Sequence, residues 1–171
     1  MEASYSPSQT MARERSDRLA VAALTSREAL ASLYAAHAPQ LYRYFWVHTH
    51  SKSLAEDLVS EAFLGAMRSL RSYRIERGSF SGWLYAIARR TLARHAGELA
   101  RPTLSPDMAA AQPDAAALHF EERSDLWQAV SELEGFDREV IALRFGAELT
   151  HTQIAEITGL QPGHVAVLLY R

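Results

Sequence analysis

From Leu30 onward the apolar positions recur at steps of three and four, the spacing that gathers them on one face of a helix. Residues 1–24 instead mix Ser, Pro and balanced charge with no sustained period, and read as a flexible tail. Thr25-Ser26-Arg27-Glu28 has the form of a capping box, in which a hydroxyl and a carboxylate three residues on each accept one of the orphan N–H groups. It predicts a short helix with Leu30, Leu33 and Tyr34 inward, ending before Pro39, and then a second from Pro39 to His48 carrying Leu41, Tyr42, Phe45 and Trp46. The strongest period comes next. Ser53-Leu54-Ala55-Glu56 repeats the capping box, and Leu58, Val59, Ala62, Phe63, Ala66, Met67 and Leu70 predict a helix over 54–72. After the turn Glu76-Arg77-Gly78, a fourth helix over 80–99 buries Trp83, Leu84, Ile87 and Ala88. No alternation of period two, the mark of a strand, interrupts them.

The period then lapses. Residues 101–122 are proline-rich and read as a flexible linker, dividing the chain into a four-helix domain over 25–100 and a second helical domain over 123–171. In the second domain Leu126, Trp127, Val130 and Leu133, then Val140, Ile141, Leu143 and Phe145, resume helical spacing. Between His151 and Tyr170 lies a helix-turn-helix pattern: Ala155 small where two helices cross, Gly159 free to take the left-handed conformation of the turn, and Val165 packing the second helix on the first. Thr150 is a cap for the first of these helices and Pro162 suits the first turn of the second. The fold class is therefore all-α, with two small helical domains.

Composition adds limits. The chain has 171 residues, is 48% hydrophobic and has no cysteine, so the fold rests on buried apolar surface and thiol chemistry is excluded. No signal-like or membrane-length apolar run occurs, which points to the cytoplasm and to no membrane insertion. The net charge of -2 hides an asymmetry: residues 26–102 hold eleven Arg and Lys against six Asp and Glu, whereas 126–171 hold three against six.

Chemistry is sparse. Arg89, Arg90, Arg94 and His95 share the fourth helix with Phe80, Trp83 and Tyr85, and arginine with exposed aromatics suits unpaired nucleic acid. Phe80 and Trp83 fall on the apolar stripe and Tyr85 off it, so Tyr85 is the expected exposed ring. Asp57 and Glu61 form a solvated or partner-binding face, with no histidine or nucleophile at ligand or catalytic spacing. His48-Thr49-His50 lacks a third ligand, and no phosphate loop, nucleophile elbow or HExxH occurs. No enzyme site, metal site or cofactor is expected.

Four segments, in order, resemble the extracytoplasmic-function (ECF) group of bacterial RNA polymerase sigma factors in the sigma-70 family, over nearly the whole chain from Ser26. Ala55-Glu56-Asp57-Leu58-Val59-Ser60-Glu61-Ala62-Phe63 is similar to the family's AEDLVQExF core-binding helix, and the run Gly78 to Arg89 to its GxFxxWLxxIAR segment. Arg138 to Phe145 and Ile154 to Leu160 are similar to its C-terminal domain. The resemblance implies a sigma region 2-like domain and a region 4-like helix-turn-helix domain. It implies that Glu56, Asp57 and Glu61 dock on the clamp helices of core RNA polymerase, and that Tyr73, Arg74, Arg77, Tyr85, Arg89, Arg90 and Arg94 meet the minus-ten promoter DNA. Gln161, Gly163, His164 and Arg171 would read the minus-thirty-five element while their domain sits on the polymerase flap, and an anti-sigma factor would be a partner.

Some residues depart from the family pattern. Ser60, Arg90 and Arg94 stand where Gln, Asn and Asp are common, and Ala166 and Leu168 where the recognition helix carries Lys and Arg. The chain stops at Arg171, about where the family continues with a basic helix end, which suggests either a truncated domain or one that has lost its DNA contacts. The alternative to an initiating sigma factor is thus a degenerate sigma-like protein that binds polymerase or a regulator without initiating.

Overall fold

The computed structural model describes residues 7–99, 129–130, 132–133 and 135–170, and among these all regular structure is helical. Helix α1 spans Pro7–Ala22, α2 Arg27–Thr49, α3 Lys52–Ser69 and α4 Phe80–Leu99, with two short 3-10 turns, Leu70–Ser72 and Ile75–Arg77, between the last two. The second unit begins with α5, Gly135–Ile141, which widens into a π turn at Ala142–Gly146, and closes with α6, His151–Thr158, and α7, Pro162–Tyr170. The linker 101–122 and Arg171 lie outside the described residues.

The period in the sequence is realised as packing. Leu58, Val59, Ala62, Phe63 and Ala66 of α3 are buried against α2 and α4, where Leu33, Leu41, Phe45, Leu84 and Ala88 meet them. Gly65 of α3 leaves the room that α4 needs, since a Cβ there would lie 3.3 Å from the Ile87 side chain. In the second unit Val140, Leu143, Ile154 and Val165 form the core.

Four local expectations are corrected. Residues 7–22 form a helix rather than a tail, with Asp17 and Ala20 buried against the rest of the domain. Pro39 does not divide two helices but lies inside α2: one backbone hydrogen bond is forgone there, and the buried faces on either side, Leu33 and Leu41, carry the helix through. The caps are also displaced. Ser26, not Thr25, accepts the Ala29 N–H at 3.1 Å, and Ser51, not Ser53, accepts that of Leu54 at 3.4 Å.

The two helical units pack against each other. Gly146 of the π turn sits on the backbone of α2, where a Cβ would come within 3.3 Å of the Arg43 carbonyl carbon and the Tyr44 nitrogen. Arg43 clamps the same turn, its Nε donating to the Gly146 carbonyl at 2.9 Å and its guanidinium pairing with Glu148 at 2.7 Å.

Candidate nucleic-acid interface

The loop between α3 and α4 and the first half of α4 enclose a groove of about 560 Å³. Tyr73, Arg74, Arg77, Trp83 and Arg90 line it from the first unit, and Glu156 of α6 from the second. Three guanidinium groups around a partly buried indole match the chemistry of an unpaired base with its phosphates: charge neutralises the backbone, and the ring face stacks. Arg77 and Arg90 are exposed, while Arg74 turns back to donate to the Arg71 and Tyr73 carbonyls at 2.6 and 2.9 Å.

Ser79 sets the start of α4, its hydroxyl accepting the Gly82 N–H at 3.1 Å. Tyr73 is buried, with its ring edge-on to Phe80 and its hydroxyl donating to Asp17 Oδ1 at 2.9 Å. Its role is therefore to frame the groove. Burial, reinforced by the Asp17 carboxylate, pushes the Tyr73 phenol well above its ordinary range, so it stays a donor.

Tyr85, expected to be exposed, is fully buried and meets Tyr44 edge to face at 5.4 Å. The buried arc of α4 is wider than its apolar stripe because the second unit covers one side of the helix. Burial also drives the Tyr85 phenol strongly upward.

Arg89 faces the second unit. Its Nε lies 3.0 Å from Glu139 Oε1 and its terminal nitrogen donates to the Ile157 carbonyl at 2.7 Å. The buried Glu139 carboxylate also takes the Tyr44 hydroxyl, 3.1 Å from each oxygen, and stands 3.1 Å from His48 Nε2. Burial and then the Glu139 charge raise the Tyr44 phenol well above its ordinary range. Sequence alone had no signal for this cluster, because its members lie on three helices and look like ordinary surface and core residues in the chain.

On α3, Glu56, Asp57 and Glu61 are exposed along one face, and Glu61 pairs with Arg94 of α4. In the helix-turn-helix, Thr150 caps the helix, Gly159 is left-handed at φ 78° and Val165 is completely buried, as the spacing predicts, and Gln153 completes a capping box with Thr150. Gln161, Gly163 and His164 are exposed. The rest of the outward face of α7 is apolar, with Val167 and Tyr170 exposed and Leu168 partly packed on the core.

A family model described as sigma-70 region 2 matches residues 33–101. The ECF RNA polymerase sigma factor BldN of Streptomyces coelicolor is 29% identical over 155 residues, covering 84% of this chain and 57% of that protein. The chain thus spans little more than half the length of this relative. RNA polymerase sigma factor YlaC of Bacillus subtilis is 27% identical over 153 residues, covering 85% of this chain and 88% of its own. Among solved structures, that of CnrH in complex with the cytosolic domain of CnrY superposes with a TM-score of 0.64 at 23% identity, over 91% of each chain, a likeness of fold.

Proposed function

We propose that this chain, which belongs to the ECF group of the sigma-70 family, binds core RNA polymerase and directs it to promoters, acting in the cytoplasm by binding rather than by catalysis. The observation that carries the reading is the groove whose Arg74, Arg77, Arg90 and Trp83 all lie within the matched residues 33–101 and together have the chemistry of an unpaired-strand site. On this reading the exposed Glu56, Asp57 and Glu61 face the polymerase clamp, the groove holds the opened minus-ten strand, and the second unit goes to the flap and the upstream duplex. Arg89 joins the DNA surface only after leaving Glu139 and the Ile157 carbonyl, so promoter binding separates the two units. CnrH is seen in complex with the cytosolic domain of CnrY, and the anti-sigma partner that the sequence resemblance implies for this chain is part of the same proposal.

The apolar outward face of α7 favours a second reading for the C-terminal unit, in which it docks on protein and reads no minus-thirty-five element. One experiment separates these. The chain is mixed with core polymerase and a promoter library from the source genome, and transcript starts are mapped by sequencing. Defined starts that vanish with Asp57→Arg support the sigma reading. No starts from active core would refute initiation and leave the partner-binding alternative.

A further inference from the structure

The loop between α3 and α4 has a light internal frame, in which the Tyr73 hydroxyl reaches the Gly78 carbonyl at 3.4 Å and Arg74 donates to the Arg71 and Tyr73 carbonyls. Its backbone bonds are three short-range turns, Tyr73 N–H to the Leu70 carbonyl at 3.0 Å, Arg77 to Arg74 at 3.0 Å and Gly78 to Ile75 at 3.3 Å. Gly78 sits at φ 141°, which favours glycine, and Ile75, Glu76 and Arg77 are exposed. Loops held this way open locally at low cost.

Both ends of the loop are tied to one atom elsewhere. Asp17 Oδ1 accepts the Tyr73 hydroxyl at 2.9 Å and the Phe80 N–H at 2.7 Å. Asp17 is only 6% exposed, and it belongs to α1, outside the matched residues 33–101. The helix that carries it is itself anchored: Ser16 Oγ and His37 Nε2 are 3.0 Å apart, and Ala20 is buried. A carboxylate on the first N–H groups of α4 is also favoured by the helix dipole.

We propose that Asp17 is a positioning residue for minus-ten recognition, locking Tyr73 and the start of α4 so that Arg74, Arg77 and Trp83 line the groove in one geometry. This rests on the sigma reading above. Asp17 touches no DNA itself. By pinning both ends of the loop through one oxygen, it removes the freedom that the loop would otherwise lose on capturing an unpaired strand.

The test uses the full chain with core polymerase on a promoter found by the start-site mapping. Core affinity is measured by fluorescence titration, and opening by permanganate reactivity of unpaired thymines. Asp17→Ala should leave core affinity within about twofold while lowering opening about tenfold, the effect of losing hydrogen bonds to a charged acceptor. Asp17→Asn, whose amide oxygen can accept both donors, should recover opening to within about threefold of the unaltered chain. Tyr73→Phe removes one of the two bonds to Asp17, with the longer 3.4 Å contact of the same hydroxyl to the Gly78 carbonyl, and keeps the ring packed, so it should fall between, and it decides the matter if Asp17→Ala loses helicity. Unchanged opening in both Asp17→Ala and Tyr73→Phe, or equal losses in core affinity and opening, overturns the role of Asp17 while leaving the sigma reading intact. No initiation by the unaltered chain overturns both.

Discussion

Replacing Glu139 with alanine should loosen the junction between the two helical units. The carboxylate is 8% exposed and is shared by Tyr44, Arg89 and His48. Tyr44 is fully buried, so its hydroxyl would lose its acceptor without gaining water, at a cost of about 1–3 kcal/mol. The Arg89 side chain is 39% exposed and keeps its bond to the Ile157 carbonyl, so its share is discounted to about 0–1 kcal/mol. Together these give a loss of roughly 1–4 kcal/mol, which at its upper end is a large part of the total stability of an ordinary domain. Glu139→Gln retains an oxygen for Tyr44 and should lose roughly 1 kcal/mol.

Urea unfolding followed by circular dichroism measures the loss. The distance between units can be followed separately, because the chain has no cysteine and thiols introduced at the exposed Ser60 on α3 and His164 on α7 would be the sole labelling sites. Glu139→Ala should lower energy transfer between the two labels and, by removing one of the two holds on Arg89, raise affinity for single-stranded DNA at low salt. A stability change below about 0.5 kcal/mol with unchanged transfer would refute the reasoning and assign the junction to apolar packing and the seat of Gly146 on α2.

Acid should weaken the fold through His37. Burial pushes its imidazole down to about 4, against a smaller upward pull from Asp17, so between pH 6.5 and about 4 the unfolded chain takes up a proton that the folded one refuses. Stability then falls as pH falls through that window, by about 2 kcal/mol from pH 7.5 to 5, and the urea midpoint should lose most of this dependence in His37→Gln. At the turn between α6 and α7, Gly159→Ala should cost about 1–2 kcal/mol, because φ is 78° and a Cβ there meets nothing, leaving only backbone strain. Gly163→Ala, in the first turn of α7 with open space around it and no positive φ, should be neutral or stabilising by up to about 1 kcal/mol, and thermal melts of the pair would show opposite signs.

Residues 1–24 show why part of the fold was not legible. Helix α1 buries few side chains, and one of them, Asp17, is an acid whose partners are 56 and 63 residues further on. No local period can record such an anchor. The displaced caps at Ser26 and Ser51 have a milder cause: several hydroxyl residues stand side by side, and the packing of the helix chooses among them. In the candidate site, Arg90 was readable on the basic fourth helix, whereas Arg74 and Arg77 entered only through the family resemblance, and the structure gathers the three in one groove. Tyr85 and Arg89 were not readable, because each is covered or engaged by a unit that lies beyond residue 128 in the chain.

The sequence alone settled what depends on neighbours within a turn or two: the period of α3 and α4, the cap at Thr150 and the left-handed glycine at Gly159. These follow from hydrogen bonds and faces that repeat every few residues. Tertiary structure alone decided that α1 pins the groove, that Pro39 passes inside a helix, and that Glu139 draws Tyr44, His48 and Arg89 together across the junction. Those outcomes turn on buried polar groups finding partners at long range, where the cost of leaving a donor or charge unpaired, rather than local preference, selects the arrangement.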